Sequence, residues 1–192
     1  MAFAAAQWFK NADRSNWQHA CDALETAFAF GYYGAFSDTT TQTAASTTTA
    51  YKMTLNTTDE AWGVSIGTPT SKIVVANPGT YNLQWSGQFQ NTDNSDHDVS
   101  VWLRKGNDGG ESVDIVGSTG YISIPASHGQ VSGHTVVGWN WVLTLAADDF
   151  IEIMWSVDST AVTIQSYAAQ TNPTRPSTAS LVVTMTQVGA VR

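Results

Sequence analysis

The spacing of apolar positions changes character near Gly31. Before it, Trp17, Cys21, Leu24 and Phe28 recur at steps of four, three and four, which lines one face of a helix and leaves Asp22 and Glu25 off that face. Ser15 and Gln18 have the spacing of a capping box, and Gly31 stands where a glycine commonly ends a helix. The pattern predicts a helix over 16–29. Two heptads are too short to hold alone, so the apolar face must dock. Burying its four side chains would contribute roughly 6–8 kcal/mol at about 2 kcal/mol each. The face can pack on its own domain or serve as an arm for self-association or attachment to a larger assembly. On the second reading Trp17, Cys21, Leu24 and Phe28 are the expected anchoring residues.

From Tyr32 onward the period is that of strands. Tyr32 to Phe36, Tyr51 to Leu55, Val64 to Ile66 and Ile73 to Val75 read as strands, with the Thr-rich tract 39–49 as an exposed loop between the first two. Asn77-Pro78-Gly79 has Pro and Gly where a turn wants them. Behind it Tyr81, Leu83, Trp85, Gly87 and Phe89 share one face, and Asn82, Gln84, Ser86 and Gln88 the other. His97 to Lys105 points Val99, Val101 and Leu103 inward. Short strands are expected at Val113 to Val116 and Tyr121 to Ile124. Val136 to Leu145 and Phe150 to Val157 each line one apolar face with alternate residues, among them Trp139, Trp141 and Trp155. Val162 to Tyr167, a stiff loop at 172–176 and a closing strand through Leu181, Val183 and Met185 follow. The strand spacings predict an all-β sandwich or jelly roll over 32–192, and alternation along most strands predicts two packed antiparallel sheets, preceded by a helical arm over 1–31.

Composition supports strands and narrows the partners. Charged residues are 12% of 192, threonine and serine together roughly a fifth, and there are 8 Trp. The formal net charge is −8 with 8 Lys+Arg, so the basic footprint of a nucleic-acid binder is missing and an anionic membrane would repel the chain. No apolar run approaches the ~18 residues of a membrane span, and Met1 to Lys10 lacks the form of a secretory signal. Cys21 is the single cysteine, which excludes an internal disulfide.

Catalytic and metal chemistry find little purchase. Asp93, Asn94, Asp96, His97 and Asp98 form the densest acidic cluster, yet glycine and a downstream glutamate are not spaced for a calcium loop, so a solvated turn is expected. His128 and His134 are six apart without further ligands. There is no nucleophile elbow and no phosphate-cradling glycine loop. A non-enzymatic protein with no cofactor is expected.

Several segments resemble a known family. Asn77-Pro78-Gly79-Thr80-Tyr81 is similar to the hairpin of the complement globular-head and tumour-necrosis-factor-like jelly rolls, with Tyr32 to Phe36 and Tyr51 to Leu55 where those domains place their first strands. Asp38 to Gln42, Val101 to Lys105, Trp139 to Leu145, Asn172 to Pro176 and the ending Val183 to Val188 resemble a version found in bacteriophage virion proteins. The resemblance covers about 32–190 and implies a homotrimer of jelly rolls on a virion surface. Its role would be a capsid decoration or cement protein, or alternatively the receptor-binding head of a tail fibre recognising a host-surface glycan or protein. Trp102, Val142, Phe150, Met154 and Val182 fall opposite the core set of their strands, which makes them candidates for the trimer interface, with glycan stacking the other use of such residues.

Overall fold

The computed structural model describes Trp17, residues 31–107 and residues 110–190. Trp17 is helical and 55% exposed, while Cys21, Leu24 and Phe28 of the predicted helix lie outside the described residues. Contacts divide the chain into Met1–Gly31 and Tyr32–Arg192, and the second unit is an all-β sandwich.

Its strands, in chain order, are β1 Tyr33–Asp38, β2 Gln42–Thr43, β3 Tyr51–Lys52, β4 Thr57–Trp62, β5 Val64–Ile66, β6 Ile73–Val75, β7 Gly79–Asn91 and β8 His97–Asn107. They continue as β9 Val113–Asp114, β10 Gly120–Ile124, β11 Gly133–Leu145, β12 Asp149–Val157, β13 Val162–Ile164, β14 Gln170–Thr171, β15 Thr174–Arg175 and β16 Leu181–Gly189. The first sheet runs β2-β13-β7-β16-β1-β4, with β11 on the other side of β7. The second runs β10-β8-β12-β6-β5, with β3 added to β12 and β9 to β8. Every ladder between named strands is antiparallel.

The inward-facing alternate positions of β7 and β12 make the core. Tyr81, Leu83, Trp85 and Phe89 face Ile151, Ile153, Trp155 and Val157 in one apolar cluster, and Phe89 meets Trp155 edge-on at 6.5 Å between ring centroids. Trp85 and Trp155 are buried as expected, while Trp139 and Trp141 are only partly buried against the core. The reason is position: among the described residues β11 pairs only with β7, so it is an edge strand. Its thirteen residues contain no Asp, Glu, Lys, Arg or Pro. The Trp139 indole lies over Gly120 of β10, where any Cβ would overlap the ring, so this glycine lets the edges of the two sheets meet.

Four local expectations change. The 39–49 tract is not simply an exposed loop, because it carries β2 and buries Ala44. Hydrogen bonds fix it alongside the burial of that one alanine. The Gln42 side chain donates to the Thr54 carbonyl (3.0 Å) and accepts from the Thr54 N–H (2.8 Å), in the manner of a strand neighbour. Beneath it, buried Asp38 accepts from the N–H and hydroxyl of Thr40 (2.7 and 2.6 Å) and from the Thr54 hydroxyl (3.0 Å). The Tyr51 to Leu55 strand has a ladder only at β3, although Met53 and Leu55 continue into the core. Gly79 is not a left-handed turn residue; it already belongs to β7 and is needed because Gln187 and the Gly189 carbonyl press against its Cα. The stiff 172–176 loop is the turn and second strand of the β14–β15 hairpin.

Candidate functional site

The two outward faces of the sandwich divide the five interface candidates. Trp102, Phe150 and Met154 lie on the outer face of the second sheet, where β8 and β12 pair Trp102 with Met154 and Gly106 with Phe150. Val142 and Val182 lie on the outer face of the first sheet, flanking β7. The five therefore do not form one surface.

Phe150 and Met154 are also not available to a partner, being 5% and 2% exposed within the single chain. Alternation assigned their face correctly, but that face is covered. The Lys72 ammonium stands 4.3 Å over the Phe150 ring, and Met154 is flanked by Lys52 of β3 and Trp102 of β8. Lysine stems cover apolar surface while their charges reach water.

A row of alternating charges crosses the same face. Lys52 Nζ is 2.9 Å from Glu152 Oε1, and the Ser71 hydroxyl donates to the same oxygen at 2.7 Å. Arg104 stands in register with Glu152 on one side and Asp114 on the other. Its Nε donates to Asp114 Oδ1 at 2.7 Å. That bond is the main reason the Asp114 carboxyl is held below the ordinary carboxylate range; burial opposes it, and lesser effects of Trp102 and of the Arg104 charge act with it.

Beside this row is an open concavity of about 420 Å³, walled by Trp102, Asp114, Val116, Thr119 and Tyr121, with Ser100 and Ser156 on its floor. Tyr121 of β10 is paired with Ser100 of β8, which puts its ring diagonal to Trp102. Tyr121 is 81% exposed and Val116 98% exposed, so neither is held there by core packing. Sequence reasoning singled out Trp102 but not Tyr121 or Asp114. The alternation of Tyr121 and Ser123 against Ile122 and Ile124 carried the signal for the tyrosine.

The outer face of the first sheet has a different chemistry. Across β11, β7 and β16 it presents rows such as Gly138-Ser86-Val182, Asn140-Gln84-Thr184 and Val142-Asn82-Thr186. From Thr80 to Gln88 of β7 and their neighbours, no ionisable side chain points outward. Val136, Val142 and Val182 are exposed on it, and the Asn82 side-chain oxygen is buried without a hydrogen-bond partner.

The acidic cluster at 93–98 is a structured turn. His97 bridges Asp93 (Nε2 to Oδ2, 2.8 Å) and Asp158 (Nδ1 to Oδ1, 3.1 Å), and Asp96 accepts from the Ala126 N–H at 2.7 Å. The bond to Asp93 raises the His97 pKa above its ordinary value, and the two carboxylate charges reinforce it against burial. The hydrogen bond with His97 lowers Asp93 in turn. A second concavity, of about 300 Å³, is lined by Gln88, His134, Tyr167, Gln170 and Arg175, with the Tyr167 hydroxyl 3.2 Å from His134 Nδ1. Among the described residues no group of three or more His, Cys, Asp or Glu is arranged to hold a metal ion.

No family model matches the chain, and no curated protein matches it significantly.

Proposed function

We propose that this chain is a non-enzymatic virion structural protein: a trimeric, tumour-necrosis-factor-like jelly roll that decorates a phage particle, with its N-terminal segment as the anchor. The observation that carries the reading is the uncharged outer face of β11, β7 and β16 in a chain of net charge −8. Charged side chains are depleted from the cores of protein interfaces, because pairing them imperfectly costs their hydration. Self-association through this face buries Val142 and Val182 and leaves the carboxylates of the other surfaces in water. The motifs quoted for the virion family support the particle as the larger partner. The net charge of −8 favours neither nucleic acid nor an anionic membrane as a partner.

Light scattering of the purified protein should give about three times 20.6 kDa. Particles reconstituted with the protein should resist heating better than bare particles, and protein lacking residues 1–31 should no longer attach. A monomer at micromolar concentration overturns the trimer, and full occupancy by the truncated protein overturns the anchor.

A further inference from the structure

We propose that the concavity between Trp102 and Tyr121 is a binding site for a neutral oligosaccharide containing N-acetylhexosamine. Two aromatic rings stand on adjacent strands, in diagonal register across Ser100. Diagonal neighbours on a sheet are about 7–8 Å apart, which leaves room for a flat apolar body between or across them. The C–H-rich face of a pyranose is such a body, and aromatic side chains offer it area at low entropic cost. Exposed as fully as it is, Tyr121 gains nothing from the core.

The polar groups fit the edges of a sugar. The Arg104 guanidinium favours the ionised form of Asp114, whose side chain is still 50% exposed. A carboxylate is acceptor-only, so it takes the hydroxyl donors of a sugar and rejects other carboxylates. Ser100, Thr119 and Ser156 supply hydroxyls that both donate and accept. Val116, at 98% exposure, gives the wall an apolar surface on which an acetamido methyl can rest. The charge of −8 disfavours sialylated, uronic or phosphorylated glycans.

The site lies within one chain, on the sheet that does not carry the uncharged face, so it stands or falls apart from self-association and particle decoration. Titration calorimetry of the full-length protein with chitotetraose, and with an N-acetyllactosamine-containing tetrasaccharide, tests it. At least one should bind saturably, with cellotetraose at least tenfold weaker and sialyllactose weaker still. Tyr121→Ala should weaken binding at least tenfold while leaving the melting temperature and light-scattering mass unchanged, and Asp114→Asn should weaken it as well. No saturable heat from either N-acetylated probe overturns the site, as does unchanged affinity in Tyr121→Ala. Equal binding of cellotetraose, or tighter binding of sialyllactose, overturns the ligand class.

Discussion

Lys52 and Glu152 form an ion pair of unequal surroundings: the ammonium is 41% exposed, whereas the carboxylate 2.9 Å away is wholly buried on an outward-facing strand position. Glu152 Oε2 has no hydrogen-bond partner. Removing Lys52 therefore strands a desolvated charge. Lys52→Met should cost about 2–3 kcal/mol in urea unfolding. The double variant Lys52→Met with Glu152→Leu should recover most of that loss, since a well-packed apolar pair avoids the desolvation altogether. A double variant no more stable than the single one would show that the charge is not what the lysine serves.

Two glycines should respond differently to a single methyl. At Gly133 a Cβ would overlap the backbone carbonyl of Pro125, which cannot rotate away. At Gly120 it would overlap the Trp139 indole, which is only partly buried and can shift. Gly133→Ala is expected to cost about 3 kcal/mol and Gly120→Ala about 1–2 kcal/mol. For a chain of this size each kcal/mol lowers the melting temperature by about 2–4 °C, so calorimetry separates the two.

The His97 bridge should make stability depend on pH at both ends. The folded-state pKa of His97 is raised, so its contribution is complete below the unfolded value of about 6.5 and is lost as pH rises through the folded value. Asp93 is lowered, so its contribution is present above about 3.9 and is lost as pH falls through the folded value. The pair works best between those limits. His97→Gln should lower the melting temperature more at pH 5.5 than at pH 8.5. An equal effect at both would mean that the ring contributes packing alone.

Charge placed on the neutral face should separate copies without unfolding them. Val142 and Val182 are 57% and 42% exposed, so Val142→Glu and Val182→Glu should each change monomer stability by less than about 0.5 kcal/mol. Each should nevertheless shift the light-scattering mass from trimer to monomer. A persistent trimer in both variants would move the interface elsewhere.

The strands with one dry and one wet face were legible from sequence because their side chains obey a period of two. β7 and β11 are the examples, whereas β12 is buried on both faces at every position but Ser156. β4 was not legible: Thr57–Trp62 is exposed at all but its first position, so burial leaves no pattern, and its ladder with β1 alone defines it. Phe150 and Met154 show the complementary limit. Alternation tells which way a residue points, but the covering of that face came from Lys52 of β3 and from Lys72 in the turn before β6. The Trp102 site was half legible for the same reason. Tyr121 and Asp114 reach it only through the β10–β8 and β8–β9 registers, which are set by the loops between those strands.

The unpaired side of β11 makes solubility conditional on ionic strength. Thirteen residues without a charge or proline leave N–H and C=O groups without a ladder partner on this side, the Thr144 carbonyl being covered by the Lys105 ammonium at 3.1 Å, and such an edge is the template on which cross-β stacks grow. In dilute buffer the mutual repulsion of chains at −8 reaches about 30 Å at 0.01 M salt and keeps these edges apart; near 1 M it shrinks to about 3 Å. Concentrated salt thus removes the guard before it removes the template. Copies that have already found their proper neighbours should tolerate brine, whereas copies salted while still single should drift toward fibres and precipitate.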